Sequence, residues 1–254
     1  MKHIRTLLIM FVMLLGITCS AKQSDRIIIF NGHFFKELPA AAKNSSVAQT
    51  VSMFFVRTDN NTKATGLYSP TIELTEDALQ YALPVEDVPE GEELLRRYNE
   101  EKDKPDHLSF TIEASEALVK VGDTFPEFSA TDISGKTWTN ADVKDKVMVL
   151  NLWFSGCGPC RSEMPELSSW KDEMPDVMFF SSTYESAEVA QQVFNAVNYN
   201  WIPLVNDTQF TKFIGKNGYP LTIVIDKSGK IAAFEYGTST EQRATLKNKI
   251  LELR

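Results

Sequence analysis

The sequence predicts an α/β fold: a mixed β-sheet flanked by helices in the C-terminal half, preceded by a small β-rich or α/β accessory domain. Three observations carry this. From about Val119, strand-like and helix-like segments alternate and end in a strand–turn–strand pair and a last helix. That order builds a sheet covered on both faces. Before it, several β-branched and aromatic runs surround one highly charged stretch. The first twenty-one residues match neither texture. The expected organisation is a signal segment over 1–21, an accessory domain over 22–117 and the larger domain over 118–254. A chain of 254 residues has room for both domains.

The N-terminal segment opens with a basic head, Lys2, His3 and Arg5, followed by an apolar run from Leu7 to Ile17. The run falls short of the roughly 20 apolar residues that a membrane span needs. A basic head, a short apolar core and then small residues form a secretory signal. Two ways of processing it stay open. Cys19-Ser20-Ala21 fits a small-x-small cleavage site, and Leu15 to Cys19 fits a loose lipobox in which Cys19 is lipidated and anchors the chain to a membrane.

In the accessory region, Arg26–Phe30 and Gln49–Arg57 read as strands, with Asp59-Asn60-Asn61 as a turn after the second. Glu86–Asp106 is dense in charge. Its Leu94, Leu95 and Tyr98 recur at helical spacing, so it reads as a solvated surface helix ended by Pro105-Asp106. His107–Glu113 reads as a further strand. His33 and His107 stand alone and read as surface or structural histidines.

In the larger domain, Val147–Phe154 is a continuous apolar run of the kind that forms a buried central strand. A helix is expected from Cys157 through Trp170, a second buried strand over Asp176–Ser181, and a helix over Ser186–Val197 with Val189, Val193, Ala196 and Val197 on its apolar face. Trp201–Asn206 reads as short and extended. Thr222–Asp226 and Lys230–Tyr236 flank the hairpin signal Lys227-Ser228-Gly229. Thr240–Leu253 reads as an amphipathic helix with Thr240 as its candidate N-cap.

Composition narrows the function. A net charge of −8 argues against a nucleic-acid partner, which requires a basic stripe. Of three cysteines, Cys19 lies in the signal segment, which leaves one pair two residues apart, Cys157-Gly158-Pro159-Cys160. A disulfide closing so small a loop restricts the unfolded chain little, so the pair is there to react. A structural zinc site needs about four ligands, and no second cysteine pair or nearby histidine supplies them; no metal is expected.

A C-x-x-C that follows a buried strand and opens a helix puts its first sulfur at the helix N-terminus. Unpaired N–H groups and the dipole favour a thiolate there. Cys157 is therefore the expected nucleophile and Cys160 the resolving thiol, in thiol–disulfide exchange. Pro159 suits the first helical turn, where its missing N–H has no partner to lose. Pro165, further inside, is expected to kink the helix. A peroxiredoxin-type reading fails because the proline expected upstream of Cys157 is absent.

The segment Trp153-Phe154-Ser155-Gly156-Cys157-Gly158-Pro159-Cys160-Arg161-Ser162-Glu163-Met164-Pro165 resembles the exported TlpA/ResA-like branch of the thioredoxin superfamily. So do Gly122–Phe128, Asp132–Lys136, Gly218-Tyr219-Pro220-Leu221-Thr222 and Asp226–Gly229. The resemblance covers roughly Val119 to Arg254 and implies a thioredoxin-like fold. It implies a cis bond at Tyr219-Pro220, in a loop that offers backbone to a substrate chain beside Gly158 and Pro159. Asn151 stands where thioredoxin carries a buried acid, and Glu163 matches a glutamate near the thiols, so Glu163 is the implied proton acceptor for Cys160. Trp153 is expected to pack against the site and line the substrate surface. Gly156 replaces a tryptophan common in relatives, which leaves the dithiol less shielded.

Gly-Pro between the cysteines is the pair of reducing thioredoxins, near about −270 mV. The implied activity is reduction of disulfides in exported proteins of the bacterial periplasm or envelope, without cofactor, with electrons from a membrane donor not yet identified. Isomerase or oxidase chemistry at a higher potential remains an alternative. So does a partner-binding envelope lipoprotein that uses the thioredoxin domain as a scaffold.

Overall fold

The computed structural model describes residues 27–39, 48–112, 118–215 and 217–254. The expectations for 1–21, including Cys19, lie outside the described residues.

The N-terminal region is a five-stranded sheet built from β1 (Ile27–Phe30), β2 (His33–Phe35), β3 (Gln49–Arg57), β4 (Lys63–Tyr68) and β5 (Leu108–Ile112), in the order β2-β1-β4-β3-β5. Only β1 and β4 run parallel. The hairpin β1–β2 turns on Asn31 and Gly32, both at positive φ (45° and 85°). Asn-Gly is the dipeptide that tolerates this geometry. Short α1 (Glu76–Leu79) and then α2 (Gly91–Glu101) follow. Leu94 and Tyr98 seat α2 on the sheet, and the Tyr98 hydroxyl donates to the Leu67 carbonyl at 2.9 Å. His107 stacks on Phe54 with centroids 4.5 Å apart and bonds the Glu101 carbonyl at 2.6 Å, a structural role.

A two-stranded ribbon, β6 (Ser129–Thr131) and β7 (Thr137–Thr139), precedes the second sheet. That sheet comprises β8 (Met148–Leu152), β9 (Met178–Ser182), β10 (Ile202–Leu204), β11 (Leu221–Ile225) and β12 (Ile231–Tyr236), in the order β10-β9-β8-β11-β12. β8, β9 and β10 are parallel, and β11 and β12 complete the sheet antiparallel. The helices are α3 (Gly158–Glu173), α4 (Ala187–Val197) and α5 (Thr240–Leu253).

Side-chain alternation sorts the strands into two cores. Val149, Phe179 and Val224 join residues of all three helices, among them Met164, Phe194 and Ile250. Leu150, Phe180 and Ile223 join Phe125, Phe128 and Phe210. With both faces covered, β8 and β11 are buried at every position, which is why they read as unbroken apolar runs.

Two details correct the sequence reading. Ser239, not Thr240, caps α5, its hydroxyl accepting from Gln242 N at 3.2 Å. Helix α4 turns Ala190, Val193 and Phe194 inward while Ala196 is exposed, because Phe194 and not Ala196 has the bulk to fill the space beside Trp153.

Candidate active site

The end of β8 delivers Cys157 to the start of α3. Cys157 is the N-cap of that helix, and its Sγ accepts the Cys160 N–H at 3.2 Å. The two cysteines form a disulfide with Cα atoms 5.3 Å apart. Cys157 is 5% exposed and Cys160 wholly buried, so only the first cysteine reaches a surface. Gly158 and Pro159 are exposed and form the outer turn of the helix. Helix α3 continues through Pro165 to Glu173.

A polar row crosses the sheet underneath α3. Thr222 of β11, Asn151 of β8 and Ser181 of β9 are register partners. Asn151 Nδ2 donates to Thr222 Oγ1 and to Glu163 Oε1, each at 2.9 Å. Glu163 is itself buried, and burial pushes its carboxyl up to about 7 against hydrogen bonds from Thr238 and Asn151 and the attraction of Arg243. A carboxyl poised near neutrality can both take and return a proton. The Tyr199 phenol, also buried, is raised well above its ordinary value by burial first and then by the charge of Glu163.

The loop before β11 carries Tyr219-Pro220, whose peptide bond is cis. Gly218 ahead of it has φ +81°, which a side chain would strain. Pro220 is buried and its carbonyl accepts from Gly237 N at 2.7 Å; Tyr219 is half-buried. Its ring stands edge-on to Phe154, centroids 5.2 Å apart, and Tyr184 lies 6.3 Å from Phe154 and 6.5 Å from Tyr219. Glu185 pins the loop below, accepting from Ser155 N and Ser155 Oγ, both at 2.6 Å.

Of the residues singled out in the sequence, Cys157 and Cys160 are bonded to each other, Glu163 lies on the same helix, and Tyr219, next to Pro220, packs against the core cluster that holds the two cysteines. Trp153 packs as expected in the core cluster that holds the cysteines, against Phe194, but its ring is fully buried, so it does not line a substrate surface. Phe154, Tyr184 and Glu185 were not singled out in the sequence, since only the fold brings the β9–α4 connection beside the segment that leads into Cys157. A Cβ on Gly156 would meet the Phe154 ring at 2.9 Å, so Phe154 already fills part of the space beside this glycine.

Among the described residues no group of three or more His, Cys, Asp or Glu is placed to hold a metal, and no helix is long and apolar enough to cross a membrane.

The family model described as Redoxin matches residues 120–250. Thioredoxin-like protein YneN of Bacillus subtilis is 29% identical over 146 residues, 54% of this chain and 83% of that protein. Thiol-disulfide oxidoreductase ResA of Geobacillus kaustophilus is 30% identical over 132 residues, 49% of this chain and 74% of that protein. Among solved structures, a candidate protein disulfide isomerase of Bacteroides thetaiotaomicron superposes with a TM-score of 0.50 at 22% identity, over 54% of this chain and 91% of that one.

Proposed function

The chain belongs to the redoxin family, in its TlpA/ResA-like thioredoxin branch, and from that membership we propose that it is an exported thiol–disulfide oxidoreductase that reduces protein disulfides through Cys157 and Cys160. The observation that carries this reading is the Cys157 sulfur on the Cys160 N–H at the N-terminus of α3. Helix-terminal N–H groups stabilise a thiolate there, and the thiolate is the attacking species.

In the reduced protein, Cys157 attacks one sulfur of a substrate disulfide. A mixed disulfide forms and the other substrate sulfur leaves as a thiolate. Glu163 takes the Cys160 proton, Cys160 attacks Cys157 Sγ, and the second substrate sulfur leaves. The substrate gains two electrons and the Cys157–Cys160 disulfide closes. A donor must reopen it, and export to an envelope supplied with electrons through the membrane fits the signal-like pattern over residues 1–21. The half-buried rings of Phe154 and Tyr219 and the exposed Tyr184 supply an apolar shelf for the substrate chain beside the Tyr219–Pro220 loop. Residues 22–117 act as an accessory domain to the redox domain over 118–254.

The test is insulin reduction by the dithiothreitol-reduced protein. Cys157→Ser is expected to abolish it, and Cys160→Ser to trap a mixed disulfide. An equilibrium potential well above about −200 mV would overturn the reducing direction and leave isomerase or oxidase chemistry. Failure of the wild-type protein to reduce insulin would overturn the enzyme reading and favour a scaffold.

A further inference from the structure

The turn between β12 and α5 carries four contacts that lead in different directions. Gly237 N donates to the Pro220 carbonyl at 2.7 Å. Thr238 Oγ1 accepts from Arg243 Nη1 at 2.8 Å, which leaves its own proton for the Glu163 carboxyl. Ser239 caps α5. Thr240 then donates twice to the accessory region: its N–H and its hydroxyl reach Glu37 Oε2, just after β2, at 2.9 and 3.2 Å. One short turn therefore touches the Tyr219–Pro220 loop, the buried carboxyl and the N-terminal sheet unit.

A half-open cleft lies beside this contact. Phe35, Leu38, Tyr81, Leu83 and Thr240 line a cavity of about 220 Å³ beside it. A carboxylate also belongs at this place, because the first N–H groups of a helix lack partners and carry the positive end of its dipole.

We propose that Glu37 is a positioning residue for the redox site: the accessory unit, by holding Thr240, holds Thr238 against Glu163. This rests on the oxidoreductase reading for its purpose, though not for its geometry. It gives the N-terminal unit a role that the dithiol chemistry alone leaves unexplained. In the disulfide form the charged and titratable groups that face Glu163 are Arg243 of α5, Glu166 of α3 and Tyr199 ahead of β10; reduction adds the Cys160 thiol. None belongs to the accessory unit, so its influence must pass through the turn.

The experiment is a ¹³C NMR titration of the Glu163 carboxyl in the disulfide form of the full chain, where neither cysteine titrates, assigned with Glu163→Gln, alongside insulin reduction. Glu37→Ala removes the acceptor and is expected to raise the Glu163 midpoint by about half a pH unit, because Thr238 donates less well to the carboxylate. Glu37→Gln keeps an acceptor oxygen and is expected to keep the wild-type midpoint. Thr240→Pro removes both donors from the other side. Proline suits the first helical position, and Ser239 before it is extended (φ −143°, ψ 167°), so the helix survives and the upward shift should recur. An unmoved midpoint in both Glu37→Ala and Thr240→Pro would overturn the proposal. So would equal shifts in Glu37→Ala and Glu37→Gln with none in Thr240→Pro, which would assign the effect to charge alone. Because the titration does not need turnover, a wild-type protein that fails on insulin sinks the oxidoreductase reading without touching this one.

Discussion

Asn151 donates a 2.9 Å hydrogen bond to Glu163, and both side chains are buried, 0% and 3% exposed. The strand position that holds an acid in thioredoxin is thus neutral here, and the acid stands across from it on the helix. A lone buried carboxyl resists ionisation, which is why Glu163 is pushed up to about 7.

The stability consequence has a definite sign. The folded protein holds the Glu163 proton up to about 7, whereas the unfolded chain releases it near 4.5. The folded state binds more protons between those values, so stability falls as pH rises through that window. The shift corresponds to roughly 3 kcal/mol, present below the lower value and gone above the higher. Glu163→Gln removes this dependence and is expected to be the more stable protein at mildly alkaline pH, by up to that amount, in urea titrations. It should also exchange more slowly if Glu163 is the proton acceptor for Cys160 that we propose.

Asn151→Asp makes the complementary prediction. Two carboxyls within hydrogen-bond reach in a buried site share one proton and titrate as a pair. The second charge, uncompensated on ionisation, is expected to cost on the order of 3 kcal/mol at alkaline pH. At acid pH, with both protonated, the loss should shrink. Urea midpoints compared at the two ends decide it: an equal loss at both would mean a packing fault and not a shared proton.

What the sequence disclosed and what it withheld divide along a physical line. Strands β8 and β11 were legible because burial on both faces leaves unbroken apolar runs. The dithiol was legible because its chemistry needs a fixed spacing at a helix start. Strand β4 was not: Lys63–Tyr68 includes Gly66 and Ala64, chosen for space and not for strand propensity. Strand β2 is only three residues long, though Asn31-Gly32 was a usable hairpin signal. Tyr184 and Glu185 come beside Phe154 and Ser155 only through the pairing of β8 with β9, a contact that no local pattern encodes.

Gly66 offers a test of the accessory sheet. A Cβ there would lie 2.4 Å from the Phe54 ring, which is itself held between His107 at 4.5 Å and Tyr98 at 5.2 Å. The ring has little room to yield, so Gly66→Ala is expected to cost about 1–3 kcal/mol by overpacking. All four tryptophans lie between Trp138 and Trp201, so their fluorescence follows the redox domain alone. Far-UV circular dichroism should show an earlier transition while the fluorescence midpoint stays in place. Coincident shifts in both would instead mean that the two regions unfold as one unit.

The proposed aromatic shelf allows substrate docking to be tested apart from bond chemistry. Tyr184 is 50% exposed and packs only at ring-contact distance on Phe154 and Tyr219, so truncating it removes surface and leaves the cysteines untouched. An aromatic contact of this kind is worth about 1 kcal/mol, or about a fivefold change in an equilibrium. Tyr184→Ala is therefore expected to raise KM for insulin about fivefold at unchanged kcat. A small aromatic disulfide, which reaches Cys157 without lying along the shelf, should react at the wild-type rate. A fall in kcat for both substrates would place Tyr184 in support of the dithiol, since a ring that only docks the chain cannot alter the sulfur's own reactivity.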